Sequence, residues 1–152
     1  NCSKANDGSN WSRADSSGSP PLMTHTETSS ATLLDHVATV RKAVEVLGWS
    51  LTDMQSNSEA DLVAAIHDAR QNHSAIIINP GAFTHYSWAI HDALSAYSGP
   101  IVEVHLSQPL RRESWRHVSV VAPLAIGTIA GFGAAGYELA VAGLSHYFQS
   151  QH

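Results

Sequence analysis

The chain has 152 residues, 43% of them hydrophobic, and a formal net charge of −5, which suits one domain able to bury roughly two thirds of its unfolded surface. The charge is spread along the sequence, so the basic footprint of a nucleic-acid binder is missing, and no apolar run reaches the ~18 residues of a membrane span. The single cysteine, Cys2, excludes an internal disulfide framework and any CxxC zinc or redox motif.

Residues 1–30 contain eight serines, a Pro-Pro pair and no hydrophobic period. Such a segment buries too little surface to offset its ordering entropy and is expected to be disordered, with the folded domain spanning 31–152. It has no apolar h-region, so no signal peptide is expected and a cytoplasmic location is the default. The character changes at Ala31. In "TLLDHVATVRKAVEVLG", Leu33, Leu34, Val37, Val40, Val44 and Leu47 share one helical face, with Thr32 and Asp35 suited to the N-terminal cap and Gly48 to the C-terminal one.

"WSLTDMQS" reads as a short, weak strand, and "SEADLVAAIHDARQN" as an amphipathic helix capped by Ser58 with Asp61 three residues on. "SAIIIN" is a continuous apolar strand of the kind covered on both faces. A helix follows from about Ser87 to Tyr97, then the strand "PIVEVHLS", the strand "IGTIAGFG" and the helix "AAGYELAVAGLSHYFQ". Strands alternating with helices of this length predict βαβ units, a parallel sheet and an α/β fold.

Several stretches bear chemistry. The apolar strand ends on Asn79-Pro80-Gly81, with His85 close behind; carboxyl ends of strands are where open α/β sheets bind ligands. An ordinary strand-to-helix turn has the same residues. Glu103 and His105, two apart on a strand, share a face, and a carboxylate beside an imidazole makes a competent general acid. A satisfied histidine at a strand end is the alternative. Arg112 and Arg116 would share a face if "RRESWRHVS" is helical, suiting a carboxylate or polyol, or would be solvated surface residues. His91 and Asp92 read as exposed polar positions. A metal site from His85, His91, Asp92 and His105 has no supporting HxH or HExxH spacing, and "GFGAAG" lacks the βαβ unit and acidic residue of a dinucleotide site.

Together, "INPGAFTH", "IHDAL", "PIVEVHLS", "RESWRHVS" and "GTIAGFGAAGYELA" resemble type II 3-dehydroquinate dehydratase from about Thr32 to Tyr147. The resemblance implies a flavodoxin-like three-layer fold with strand order 2-1-3-4-5 and a homo-oligomer, usually a dodecamer built of trimers. It implies loss of water from 3-dehydroquinate in the shikimate or quinate pathway, with no metal and no cofactor. Asn79 would bind the substrate carboxylate with the backbone N–H groups of Leu106 and Ser107. His85 and Arg116 would hold ring hydroxyls, Arg112 would border the pocket, and Asp92 would reach a neighbouring subunit's site. His105 would be the general acid, oriented by Glu103.

The departures are concentrated. The family's first strand, ending "NGPNLNLLG", and its "REPxxYG" loop, which carries a tyrosine base and an arginine that lowers its pKa, have no counterpart. Ungapped counting puts Thr28 at the tyrosine and Met23 at the arginine, and no tyrosine precedes Tyr86. Gln108 and Pro109-Leu110 are smaller departures. Two readings follow: a dehydratase impaired by the missing base, with water or Tyr86 as substitute, or a catalytically silent ligand-binding or oligomer-modifying paralogue.

In a 2-1-3-4-5 sheet the first strand is central, and residues 1–30 contain no β-branched run to fill it. Buried unpaired backbone groups cost about 1–3 kcal/mol each. The sequence therefore predicts either a destabilised, aggregation-prone chain or a sheet closed up to four strands with the N-terminal segment outside. Similarity that stops within a few residues of Ala31 also points to a frameshift, a wrong start or a replaced segment. A family-like stretch should then appear in another reading frame upstream in the DNA; its absence from every frame would refute this origin.

Overall fold

The computed structural model describes residues 22–25 and 33–151. Five parallel strands stand in the order β2-β1-β3-β4-β5: β1 Leu22–His25, β2 Thr52–Gln55, β3 Ile76–Asn79, β4 Ile101–His105 and β5 Gly127–Ala130. The helices α1 Leu33–Val46, α2 Glu59–Asn72, α3 Trp88–Ser95 and α4 Ala135–Gln149 complete a three-layer α/β fold.

Alternation along the strands divides the core. Ile76, Ile78 and Ile101 pack with Leu62, Ile66, Ile90 and Leu94 of α2 and α3. Met23, Ile77, Val102 and Val104 pack on the other face with Val40, Val44, Tyr137 and Leu144 of α1 and α4. The continuous apolar run of β3 is buried at all four positions, as a strand covered on both faces requires.

Helix ends follow their sequence signals. Ser58 accepts from the backbone N–H of Asp61 at 3.3 Å and Ser87 from that of Ile90 at 3.1 Å. Gly48, at φ 73°, closes α1 by donating to Glu45 O at 2.9 Å while Trp49 N–H reaches Val44 O. The expected Thr32–Asp35 cap lies outside the described residues. The "RRESWRHVS" segment is not an α-helix: the backbone is extended at Arg112 and Glu113, which separates the 3-10 turn Pro109–Arg111 from the 3-10 turn Ser114–His117.

The expectation of a four-stranded sheet is overturned. Leu22–His25 occupies the central slot, in register with Thr52–Gln55 on one side and Ile76–Asn79 on the other. Four residues suffice because the ladder is built from backbone groups and is satisfied on both edges. Met23 fills the α1/α4 side at 1% exposure. Thr24 is fully buried on the opposite side, and its hydroxyl has no partner among the described residues. The rest of the segment expected to be disordered lies outside them.

A two-sided central strand should open only with global unfolding, so the amides of Met23 and Thr24 should exchange at near the global rate. Met23→Ala should cost about 2–5 kcal/mol, read as a lower urea midpoint. Thr24→Val, which removes an unpartnered buried hydroxyl, should be neutral or stabilising. Fast exchange at Met23 would overturn the assignment.

Candidate active site at the carboxyl ends of β3 and β4

Glu103 and His105 project from β4 on the α2/α3 face, and His105 Nε2 lies 2.8 Å from Glu103 Oε1. The carboxylate is fully buried and the imidazole ring largely so. Around Glu103 stand three hydroxyls. Thr84 donates to Oε1. Ser119 Oγ is 3.0 and 3.1 Å from the two oxygens, and Thr128 Oγ1 is 3.4 Å from Oε2. Burial alone would push this carboxyl's pKa up, but the bonds from His105, Thr84 and Ser119 and the charge on His105 outweigh it and hold it below the ordinary glutamate value. The carboxylate therefore fixes the proton on His105 Nε2 and leaves Nδ1 as the nitrogen able to exchange one with a ligand.

The turn after β3 delivers Thr84 and His85. Gly81 at φ 55° lets the chain leave the strand sharply, and its N–H caps Asn79 Oδ1 at 3.2 Å. The 3-10 turn Gly81–His85 follows. His85 Nδ1 is 2.7 Å from the carbonyl of Val118, so that nitrogen carries the proton and Nε2 holds the lone pair in the neutral ring. The Trp115 ring meets His85 edge-on at 5.3 Å, and the Arg116 guanidinium lies 4.0 Å from the Trp115 centroid. A cavity of about 160 Å³ opens here, walled by His85, Glu103, His105 and Arg116 together with Gln108 and Thr128.

Four of the nine sequence-predicted site residues thus meet in one cavity. The other five lie elsewhere. Asn79 alternates onto the α1/α4 side, where its amide donates to Tyr137 Oη at 3.1 Å; burial pushes that phenol up to about 12, so it stays protonated. Leu106 is half-buried with its carbonyl bound by Gly133 N–H, and Ser107 is exposed. Arg112 is exposed, 3.9 Å from Glu113, to which Arg116 also donates at 2.7 Å. Asp92 is exposed on α3, away from this chain's own cavity. Tyr86, the candidate substitute base, is 58% exposed and does not line the cavity. Met23 is core, and Thr28 lies outside the described residues. Thr84 and Ser119 escaped sequence reading because hydroxyl residues in turns and loops carry no periodic signal, and Thr128 because a lone threonine on a short strand does not reveal its partner.

Between β1 and α1 the chain has only residues 26–32, without tyrosine or arginine. Among the described residues no cluster of His, Cys, Asp or Glu is arranged to hold a metal, and no helix is long and apolar enough to cross a membrane.

The family model for class II dehydroquinase matches residues 25–145. The chain is 53% identical over 110 residues to the 3-dehydroquinate dehydratase of Bacillus subtilis (strain 168), covering 72% of this chain and 74% of that one. It is 49% identical over 113 residues to that of Halalkalibacterium halodurans, covering 74% and 78%. The crystal structure of type II dehydroquinase from Propionibacterium acnes superposes with a TM-score of 0.78 at 34% identity, over 85% of this chain and 98% of that one. That from Butyrivibrio crossotus DSM 2876 gives 0.80 at 31%, over 85% and 99%.

Because folded Glu103 binds its proton more weakly than the unfolded residue, unfolding takes up a proton as the pH falls. Its contribution is complete at neutral pH and is lost on acidification through its folded pKa, below the ordinary carboxylate range. Glu103→Gln should cost about 1.5–3 kcal/mol at neutral pH and flatten the acid limb of stability, as urea midpoints across pH 3–7 would register. Parallel acid limbs for the two proteins would contradict the buried carboxylate.

Proposed function

The chain belongs to the class II dehydroquinase family, and from that premise we propose that its cavity eliminates water from 3-dehydroquinate to give 3-dehydroshikimate, at an impaired rate. The observation that carries this is the buried Glu103–His105 pair at the cavity wall. His105, protonated on both nitrogens beside the carboxylate, gives its Nδ1 proton to the departing hydroxyl, which leaves as water. Glu103 orients the ring and stabilises the imidazolium. His85 and Arg116 line the same cavity and hold ring hydroxyls.

The proton α to the ketone goes to solvent water. Two features support water over a side chain. Residues 26–32 contain no tyrosine, and Tyr86 is not among the cavity-lining residues, its ring meeting Phe83 edge-on. Asn79, Leu106 and Ser107 stand at the carboxyl ends of β3 and β4 and take the substrate carboxylate in this reading, which requires the Asn79 amide to exchange its Tyr137 partner for the ligand. Arg112 lies outside the cavity lining and takes a place at the pocket's border only in this reading. Asp92 on α3, exposed beside the 63% exposed Trp88, suits contribution to a second subunit of a homo-oligomer.

A second reading, a silent ligand-binding paralogue, is favoured by the same missing tyrosine. Turnover of 3-dehydroquinate followed by the conjugated product, beside calorimetry with quinate, separates the two. The dehydratase reading expects kcat about 10²–10⁴-fold below that of an intact relative, the usual contribution of a positioned base. Binding without turnover would establish the silent reading. A kcat within tenfold of the relative would mean that a side chain takes the proton, His85 Nε2 being the available lone pair.

A further inference from the structure

The hydroxyls around Glu103 have few protons to give, and counting them assigns a role that the cavity wall alone does not reveal. Ser119 Oγ accepts from the backbone N–H groups of Val121 at 3.1 Å and Ala122 at 2.8 Å, which fills both lone pairs. Its one proton goes to the carboxylate oxygens of Glu103. Thr84 Oγ1 lies 2.8 Å from Ser119 Oγ, but that oxygen has no lone pair left. The Thr84 proton is therefore committed to Glu103 Oε1, the stronger acceptor because it is charged. With His105 Nε2–H and the Thr128 hydroxyl the carboxylate meets a full set of donors, and protonating it would require the His105 nitrogen or the Thr128 oxygen to turn acceptor.

We propose that Thr84, seconded by Ser119, is a positioning residue for the acid step: its hydroxyl locks the Glu103 rotamer and keeps that group a carboxylate, so that His105 holds its proton on Nε2 and delivers the one on Nδ1. This deepens the dehydratase reading and rests on it for the catalytic consequence. Thr84 is fully buried, and its carbonyl accepts from Val120 N–H at 2.7 Å, so its backbone is anchored without relying on Glu103. The titratable and charged groups around Glu103 are His105 on its own strand, His85 from the turn after β3, and Arg116 and His117 from the following loop. β5 presents only the uncharged Thr128.

Thr84→Val keeps the shape and removes the donor. In the full chain, a carbon-detected titration with the Glu103 resonance assigned through Glu103→Gln should show its pKa rising by about one unit or more. The acid limb of kcat should move to higher pH by the same amount with KM unchanged, and kcat at neutral pH should fall about tenfold. Thr84→Ser should restore all three. An unaltered Glu103 titration in folded Thr84→Val would overturn the proposal. If Thr84→Val does not fold, Ser119→Ala takes its place, with the same upward shift expected and an unaltered titration again overturning it. A wild-type chain without turnover would sink the dehydratase reading, while the carboxyl titration still decides the role of Thr84.

Discussion

A carboxylate with no access to water has to be surrounded by donors, and most of the site's architecture follows from that requirement at Glu103. A single unpaired charge in a protein interior costs several kcal/mol. Here the donors come from three directions besides β4: Thr84 in the turn after β3, Ser119 in the loop before β5, and Thr128 on β5 itself. The turn and the loop are therefore pulled over the end of β4, and the cavity is the space left beneath them. Two further bonds hold that roof. Val120 N–H meets Thr84 O at 2.7 Å, and His91 Nδ1 meets Val120 O at 2.7 Å, tying the loop to α3.

The sheet supplies the platform, and its least conspicuous strand is the most constrained. β1 pairs on both edges, so its backbone has no freedom to fray at the sides, and its side chains have only to fit. Met23 does so on one face. Thr24 does so on the other at the cost of an unanswered hydroxyl among the described residues. In register, Thr24 stands beside Ile78, which stands beside Glu103, which stands beside Thr128. One row across the sheet thus carries the carboxylate and two hydroxyls, of which only Thr128 is within reach of it.

What the sequence disclosed follows period length and partner count. α1, α2 and α4 run fourteen or fifteen residues, enough for the 3.6-residue pattern to declare itself, and the apolar runs of β3 and β4 mark buried strands. β1 has four residues and no β-branched run, so nothing local distinguishes "LMTH" from a polar tail; its identity comes from the two strands that flank it. The Glu103–His105 pair was legible because two-residue spacing on a strand fixes a common face. Asn79 was less so. In a strand apolar at every position, alternation carries no information about which face is which, and only the fold shows that Asn79 turns toward Tyr137 while His105 turns toward the cavity. The pairing of Arg112 with Arg116 was conditional on an α-helix that the extended backbone at Arg112 and Glu113 does not allow.

The two halves of the proposed acid–base site have unequal standing in this fold. The acid half is part of the core: removing Glu103 would strand Thr84 and Ser119, and the loop they anchor would lose its attachment to β4. Selection for stability alone is enough to retain it. A base half carried between β1 and α1 would sit in a connection, where change is tolerated because few buried contacts depend on it. In this chain that connection is seven residues long and contains neither tyrosine nor arginine. The Glu103–His105 pair thus serves stability as well as the acid chemistry it carries. Groups that touch solvent or ligand and support no core contact are more discriminating. His85 and Arg116 are of that kind. Among the described residues His85 is held only by one carbonyl and the edge of Trp115, and the Arg116 side chain only by an exposed glutamate and the face of the same ring. Little in the fold requires an imidazole and a guanidinium there, so their presence at the cavity wall supports a ligand more strongly than the buried pair does.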